Sequence, residues 1–220
     1  MTKARAAAVA AAAELVEDGM TIGLGSGRAV WALLDLLRGR DIRCAAASSH
    51  TEELLREAGI ELVSLDGSVR LELAIDGADE VDGELGLIKG GGAALLREKL
   101  LVAAASRFVV VAEASKRVER LGRTHALPVE VVRFAWGDTR RRLLELMPRA
   151  EPRLNGGGGL LVTDEGHHLL DCQIPASGSV AELGAAIKAT VGVVEHGLFL
   201  GMTSLALLGG DDGSVERLEP

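Results

Sequence analysis

Short apolar segments alternate with longer helical patterns through the first half of the chain, and this alternation limits the folds available to it. The strand-length segments are residues 20–24, 42–47, 62–65, 71–75 and 108–112, and the helical patterns cover residues 3–18, 28–38, 51–59 and 93–105. Alternation of this kind predicts an α/β fold, with a mostly parallel, Rossmann-like sheet and helices on both faces. In such sheets ligands bind where strands end and loops begin.

A different pattern begins near Pro128 and predicts a second, smaller unit. Strand-like residues 129–134 and a helical pattern at 139–147 precede a predicted β-hairpin of residues 160–163 and 168–172, a helix at 180–189 and a strand at 191–195. These elements predict an α+β (ferredoxin-like) domain with an antiparallel sheet. The apolar segment 202–208 is expected to return to the main sheet. The predicted division is residues 1–126 with 199–220 for the Rossmann-like domain and residues 127–198 for the small domain.

Composition and charge disfavour several classes of function. A net charge of −8 argues against non-specific nucleic-acid binding, because the phosphate backbone would be repelled. No run of about 18 apolar residues is present, so no membrane partner is expected. Cys44 and Cys172 form no Cys-x-x-Cys pattern and are interpreted as reduced thiols of a soluble, cytoplasmic protein. The Ala-rich N-terminus is interrupted by Glu14 and Glu17, which favours a first helix over a signal peptide.

The segment Gly25-Ser26-Gly27 follows the first predicted strand and opens a helix. Glycines at such a turn let backbone N–H groups approach an anion, and the helix N-terminus adds positive potential. The segment fits Gly-x-Gly-x-x-Gly poorly because position 28 is arginine, so a dinucleotide site is a weak alternative. Taken alone, the segment is as typical of a simple strand-to-helix turn as of an anion site.

The segment from Asp76 to Asp82 places four acids at the end of the strand predicted at 71–75. Such a cluster is typical of a solvated turn, of a metal site formed by Asp76, Asp79 and Asp82, or of carboxylates that bind sugar hydroxyls and move their protons. The spacing is not that of an EF-hand loop. By itself, the solvated turn is the better interpretation.

The segment Lys89-Gly90-Gly91-Gly92 leads into a predicted helix that contains Glu98. Three glycines make a second backbone cradle for an anion, with Lys89 beside it. Glu98 follows Leu95 by three positions and so lies near the apolar face of the helix. A carboxylate there loses hydration, and its raised pKa suits a catalytic base. On its own, a surface ion pair is the plainer interpretation of Glu98.

Single basic residues elsewhere carry weaker signals. Lys116 follows the strand at 108–112 and would reach an anionic substrate there, although a lone lysine is more often a solvated charge. The histidines show no spacing typical of a metal site and are interpreted as structural or surface residues. They are His50, His125, His167, His168 and His196.

In combination these segments resemble the type A ribose-5-phosphate isomerase family. Two long motifs carry the resemblance, Ile75-Asp-Gly-Ala-Asp-Glu-Val-Asp82 and Ile88-Lys-Gly-Gly-Gly-Ala-Ala-Leu-Leu-Arg-Glu-Lys99. The resemblance implies a cofactor-independent enzyme that interconverts D-ribose 5-phosphate and D-ribulose 5-phosphate through an enediolate, in the non-oxidative pentose phosphate pathway. It also implies a homodimer or a dimer of dimers whose partner is a small-molecule sugar phosphate.

The resemblance implies a role for each matched residue. Glu98 matches the family's catalytic base, Asp76 and Asp79 match its two motif aspartates, and Lys89 matches the cation that stabilises the enediolate. No metal is implied. The implied substrate-binding residues are Ser26, Gly27, Arg28, Ala29, Asp76, Gly77, Ala78, Asp79, Lys89, Gly90, Gly91, Gly92 and Lys116.

The predicted phosphate loop departs from the family's pattern, which often reads Gly-Thr-Gly-Ser-Thr. Arg28 and Ala29 stand where the family has hydroxyl side chains. Arg28 would bind the phosphate by charge and bidentate geometry, or it would point away and leave the backbone to bind it. Three other functions stay open from sequence: an amino-sugar phosphate isomerase-deaminase, a non-catalytic sugar-phosphate sensor and a dinucleotide enzyme.

Overall fold

The protein, described over all 220 residues in a computed structural model, contains fourteen strands and six α-helices. The strands, in chain order, are β1 (Thr21–Leu24), β2 (Arg43–Ala46), β3 (Glu61–Leu62), β4 (Leu73–Asp76), β5 (Glu80–Val81), β6 (Leu87–Ile88), β7 (Phe108–Glu113), β8 (Leu127–Val131), β9 (Arg149–Pro152), β10 (His168–Gln173), β11 (Val193–His196), β12 (Leu198–Phe199), β13 (Leu205–Gly209) and β14 (Val215–Leu218). The helices are α1 (Lys3–Ala13), α2 (Arg28–Leu37), α3 (Ser49–Glu57), α4 (Leu95–Ala103), α5 (Trp136–Leu143) and α6 (Val180–Lys188). No helix has the length and apolar character that a membrane crossing requires.

The main sheet has seven strands in the order β14-β13-β7-β4-β1-β2-β3. All neighbouring pairs are parallel except β13 with β14, which lies antiparallel at one edge. The chain moves outward from β1 through β2 and β3 on one side, and from β4 through β7 and β13 on the other. The strand order therefore reverses between β1 and β4, and in open α/β sheets ligands bind beyond the strand ends at such a point.

Alternating side chains of the central strands supply two separate apolar cores, one on each face of the sheet. In β7, Val109 and Val111 pack on the face covered by α1 and α2, whereas Phe108 and Val110 pack on the face covered by α4. Because both faces are buried, the central strands read as unbroken apolar segments rather than alternating ones. The predicted mostly parallel sheet with helices on both faces is confirmed.

The small unit contains a four-stranded antiparallel sheet in the order β11-β8-β10-β9. Its elements follow one another as β8-α5-β9-β10-α6-β11, which is the ferredoxin-like β-α-β-β-α-β succession. A three-stranded sheet, β12-β6-β5, joins the two units. As predicted, the segment that follows the small unit returns to the main sheet as β13. The domain boundaries proposed near residues 126 and 198 stay a prediction.

The hairpin predicted for residues 160–163 and 168–172 is wrong. Strand β10 pairs with β8 on one side and with β9 on the other, so both of its edges are occupied. Residues 160–163 contribute only an isolated bridge between Leu154 and Leu160. In place of the predicted hairpin partner, β9 pairs with β10. The prolines Pro148, just before β9, and Pro152, its last residue, are typical of a loop, so the sequence did not predict a strand here. Proline is tolerated in β9 because it is an edge strand.

Several helix and strand ends also differ from the prediction. The first helix ends at Ala13 instead of residue 18, because the next residues form tighter i→i−3 bonds such as Val16 N–H to the Ala13 carbonyl. The helix predicted to start at Thr51 starts at Ser49, because the Ser48 side chain caps its first turn. The strand predicted to reach residue 134 ends at Val131, shortly before Ala135 adopts a positive φ of 53°.

We expect Gly209→Ala to destabilise the main sheet by about 1–3 kcal/mol, the usual cost of overpacking a core. A Cβ at Gly209 would lie 1.9 Å from the Ala4 carbonyl oxygen of α1, and backbone cannot rotate out of the way as a side chain can. The control is Gly137→Ala, because Gly137 lies in α5 with open space around it. Urea unfolding of both variants measures the difference, and equal stability would contradict the packing argument.

Candidate active site

A cavity of about 380 Å³ opens at the carboxyl ends of β1, β4 and β7, next to the point where the strand order reverses. Its walls come from the turn after β1, the loops after β4 and β6, the first turns of α2 and α4, and the end of β7. The lining residues are Arg5, Ser26, Gly27, Arg28, Ala29, Val30, Trp31, Gly77, Ala78, Asp79, Lys89, Gly90, Gly91, Gly92, Glu98, Val111, Ala112, Glu113 and Lys116.

A buried cation lies between two buried carboxylates at the inner end of this cavity. The Lys89 Nζ lies 2.7 Å from Asp76 Oδ2 and 3.3 Å from Glu98 Oε2, and it donates to the Gly77 carbonyl oxygen at 2.6 Å. Exposed fractions are 1% for Asp76, 3% for Lys89 and 2% for Glu98. A lone buried charge is very costly, so each of these three groups depends on the others.

Each member of this group comes from a different element. Asp76 is the last residue of β4. Gly25 follows the neighbouring strand β1, and this position must be glycine because a Cβ there would lie 1.8 Å from the Asp76 carboxyl carbon. Lys89 follows β6, and its backbone N–H donates to the Gly197 carbonyl oxygen at 2.9 Å. Glu98 lies in the first turn of α4 and faces inward, as its position relative to Leu95 predicts.

Burial and the nearby Asp76 carboxylate raise the pKa of Glu98 to about 8, against the opposing effect of the Lys89 ammonium. Burial alone would lower the pKa of Lys89, but Asp76 and Glu98 outweigh it and hold that pKa above its ordinary value. One ammonium therefore faces two carboxyls, and burial also raises the pKa of Asp76, against the opposing effect of Lys89. Glu98 is the one of the two that lines the cavity, so it is placed to exchange a proton with a bound molecule. Its Oε2 also has no hydrogen-bond partner of suitable geometry. This environment suits a group that takes and returns a proton.

The glycine loop after Lys89 brings backbone donors to the cavity. The Gly91 N–H donates to Asp79 Oδ2 at 2.8 Å, and a Cβ at Gly91 would lie 2.9 Å from that carboxylate. The Gly92 N–H has no hydrogen-bond partner within the protein. Gly90 has a φ of 103°, and Ala93 has a φ of 65°, so the loop turns sharply before α4 begins. Such a turn can present N–H groups to an anion.

The outer part of the cavity is rich in cationic side chains and backbone N–H groups. The first turn of α2 begins after Gly27, where helix N–H groups lack partners in the helix. Arg28 lies exposed on this turn and makes no ion pair with a protein carboxylate. Lys116 contacts only His125, with 3.5 Å between its Nζ and the ring Nε2. Arg5 also lines the cavity and pairs with Glu113 at 2.9 Å.

All but one of the residues that the sequence predicts for the site line the cavity. Ser26, Ala29, Ala78 and the other predicted residues line the cavity, but Asp76 lies behind Lys89 and is absent from the wall. Sequence reasoning missed Glu113, which ends β7 and could have been found by the strand-end argument already applied to Asp76. It also missed Trp31, whose place on the cavity side of α2 has no clear sequence signal.

The metal alternative for the acid cluster finds no support in the side-chain positions. Asp76 faces Lys89, Asp79 accepts from Gly91, and Asp82 accepts from the backbone N–H groups of its own turn. No three His, Cys, Asp or Glu side chains converge as a metal site requires. The aspartates of the motif thus have separate partners.

Comparison with known proteins gives a consistent assignment. Residues 43–213 match the family model of ribose 5-phosphate isomerase A (phosphoriboisomerase A). The chain belongs to this family. Ribose-5-phosphate isomerase A of Synechococcus sp. (strain JA-3-3Ab) is 45% identical over 219 residues, which cover 96% of this chain and 95% of the relative. The Roseiflexus castenholzii member is 48% identical over 215 residues, which cover 93% of this chain and 91% of the relative.

Solved structures of the ribose 5-phosphate isomerase family share the whole fold. The Plasmodium falciparum enzyme superposes with a TM-score of 0.93 at 33% identity, covering 99% of this chain and 98% of that one. A D-ribose-5-phosphate isomerase in complex with phospho-erythronic acid superposes with a TM-score of 0.92 at 31% identity. The superposition covers 98% of this chain and 97% of that one. Both units of this chain therefore belong to the family architecture.

We expect Lys89→Met to destabilise the protein by about 3–5 kcal/mol at pH 8, because two buried carboxylates then lack their cation. Without Lys89, the folded-state pKa of each carboxyl rises further above its unfolded value. The penalty therefore appears as pH rises through the unfolded pKa values and is small near pH 4, where both groups are protonated. Urea unfolding at pH 4 and pH 8 tests this, with Lys116→Met as the control at a half-buried lysine. A penalty independent of pH would contradict the electrostatic cause.

Proposed function

We propose that this cavity is the active site of an aldose–ketose isomerase that interconverts D-ribose 5-phosphate and D-ribulose 5-phosphate. The observation that carries the proposal is the buried carboxylate of Glu98 beside the Lys89 ammonium, at the inner end of a cavity whose outer end is cationic. A sugar phosphate fits this polarity, with its carbonyl end at Glu98 and its phosphate at the outer end. Family membership agrees with this substrate and disfavours the deaminase, sensor and dinucleotide alternatives.

The reaction needs one group that moves a proton between two neighbouring carbons. Glu98 takes the proton from C2 of the open-chain aldose, and the C2 electron pair forms the C1–C2 double bond as the carbonyl oxygen O1 becomes an oxyanion. O1 is then protonated while O2 loses its hydroxyl proton. Glu98 returns its proton to C1, which leaves the carbonyl at C2. A carboxyl with a pKa near neutrality is suited to both directions.

The negative charge of the enediolate requires a donor that is in place before the reaction. Lys89 is held at the inner end of the cavity by Asp76 and by the Gly77 carbonyl oxygen, so its ammonium needs no reorganisation. The free N–H of Gly92 adds a second donor from the glycine loop. Because Asp76 lies behind Lys89, we assign it a positioning role through that cation and not direct contact with the sugar.

Asp79 is the second motif aspartate, and it lines the cavity. Its Oδ2 accepts the Gly91 N–H, and this bond directs the carboxylate toward the glycine loop. We propose that Asp79 accepts a hydrogen bond from a sugar hydroxyl and assists ring opening as a general base: the C1 hydroxyl loses its proton and becomes the carbonyl, the bond from C1 to the ring oxygen breaks, and the ring oxygen takes up a proton.

The phosphate is proposed to bind at the first turn of α2, with Ser26, Gly27 and Ala29 supplying backbone donors. Arg28 has no protein carboxylate as a partner, so its guanidinium is available for a bidentate contact with phosphate. Lys116 approaches from the end of β7 and adds a second positive charge.

Compartment, pathway and assembly complete the proposal. The thiols of Cys44 and Cys172 are buried and unpaired, which agrees with a cytoplasmic protein. The reaction belongs to the non-oxidative pentose phosphate pathway, needs no cofactor, and is carried out by a homodimer or a dimer of dimers. Light scattering of the purified protein tests the assembly, and turnover in the presence of a chelator tests the cofactor-free reaction.

We expect Glu98→Gln to lower kcat by about 10²- to 10⁴-fold, since it removes the proton acceptor but keeps the shape of the side chain. In the parent protein, kcat/KM rises with pH through about 8, because Glu98 must lose its proton first. This rise is lost in Glu98→Gln. Conversion of ribose 5-phosphate is followed between pH 6 and pH 10, with Glu119→Gln as the surface control. A near-parental rate in Glu98→Gln would place the base elsewhere.

We expect Arg28→Met to raise KM by about 10-fold or more with little change in kcat, because a phosphate contact made equally in ground and transition states affects binding alone. Arg38→Met provides the control, since Arg38 follows the far end of the same helix. Steady-state kinetics at two salt concentrations measure KM and kcat of the two variants. An unchanged KM would show that Arg28 makes no contact with the phosphate.

A further inference from the structure

Arg153, which follows β9 in the small unit, contacts the glycine loop of the active site across the gap between the units. Its Nη1 donates to the Gly90 carbonyl oxygen at 2.7 Å and to the Gly91 carbonyl oxygen at 3.2 Å. Within the main unit, the Gly90 carbonyl oxygen accepts the Ala93 N–H at 3.0 Å, whereas the Gly91 carbonyl oxygen has no backbone donor. The guanidinium therefore connects a loop of the cavity wall to the ferredoxin-like sheet.

The guanidinium itself is held by Asp171 of β10. Arg153 Nε donates to Asp171 Oδ2 at 3.0 Å, and Nη2 donates to Oδ1 in a second, shorter bond. Such a two-point pair fixes the plane of the guanidinium as well as its place. Only 16% of the Arg153 side chain is exposed, so the pair is partly shielded from solvent.

The backbone of Arg153 is fixed as well. Its N–H donates to the Leu169 carbonyl oxygen at 2.8 Å, and its own carbonyl oxygen accepts from the Leu161 N–H at 2.9 Å. The side chain therefore starts from a rigid point on the small sheet. Arg149 of the same unit also has a backbone in the paired sheet, but its side chain is exposed, so only Arg153 combines a fixed backbone with a shielded side chain.

The two bonds to the loop determine where its N–H groups point. In a planar trans peptide, the C=O and the following N–H point in opposite directions. With the Gly90 carbonyl directed to Arg153, the Gly91 N–H points the other way, and it donates to Asp79 Oδ2. With the Gly91 carbonyl also directed to Arg153, the Gly92 N–H points away from Arg153 and is left without a protein partner in the cavity wall.

We propose that Arg153, oriented by Asp171, is a positioning residue that sets the two peptide planes of the glycine loop for catalysis. One plane places Asp79, and the other directs the Gly92 N–H at the oxyanion of the enediolate. The inference rests on the proposed isomerase function and extends it to a residue that does not touch the substrate. Glycines at 90, 91 and 92 give the backbone of the loop wide conformational freedom, so a rigid contact from outside the loop stabilises one orientation over others.

The first test is kinetic and uses Arg153→Met, with Arg149→Met in the adjoining strand β9 as the matched control. Arg153→Met is expected to lower kcat by up to about 100-fold, with KM changed much less, because misplaced donors weaken the transition state more than substrate binding. The inhibition constant of phospho-erythronic acid, an acid phosphate that carries negative charge near the reacting carbons, should rise by a factor similar to the loss in kcat/KM. Arg153→Lys should retain more activity than Arg153→Met, and Arg149→Met should match the parent.

The second test does not depend on turnover. Hydrogen–deuterium exchange of the peptide that contains residues 89–95 is expected to be faster in Arg153→Met and in Asp171→Asn than in the parent or in Arg149→Met. Parental exchange together with parental kcat in Arg153→Met would overturn the proposal. So would a lower melting temperature with unchanged kcat and unchanged inhibition, which would indicate a purely structural role. Should Arg153→Met not fold, Arg153→Lys and Asp171→Asn provide the same comparison.

A parent protein without isomerase activity would overturn the proposed function, and the exchange experiment would still report whether Arg153 orders the loop. The two failures are therefore distinguishable.

Discussion

The buried ammonium of Lys89 is the interaction on which the active site depends. It is the single cation available to Asp76 and Glu98, and without it two carboxylates would be stranded in an apolar interior. The ammonium does not fully offset the burial of either carboxyl, so the pKa of both is raised, and Glu98 is the one of the two that lines the cavity. The same contacts that let the fold tolerate these charges thus also give Glu98 the raised pKa on which its proposed role as a base depends.

The small unit holds parts of the main unit in place next to the cavity. Lys99, next to Glu98 on α4, donates to the His196 and Leu198 carbonyl oxygens and to Glu195. Arg153 acts in a similar way on the glycine loop. These contacts fix α4 and the loop from the outside, while the cavity itself stays free for the sugar. An active site on loops gains precision when rigid elements support it in this manner.

Much of the fold and of the site could be predicted from the sequence, because the spacing of apolar residues and the residue types that follow a strand are local signals. The unbroken apolar strands, the glycine turns and the inward position of Glu98 all follow from neighbouring residues. The failures are non-local. Strand β9 is visible only through its pairing with β10, and the place of Asp76 behind the cavity depends on its contact with Lys89, which comes from another strand. Arg153 has no local signal, since its partners lie 62 and 63 positions away in the chain.

The three-stranded sheet β12-β6-β5 has a consequence for the order in which the protein is made. Lys89 follows β6, yet β6 gains its second neighbour only when β12 is available, and the Gly197 carbonyl that holds the Lys89 backbone lies just before β12. The last parallel strand, β13, inserts beside β7 later still. Nearly the whole chain must therefore be synthesised before every strand that supports the acid–lysine group is available to it.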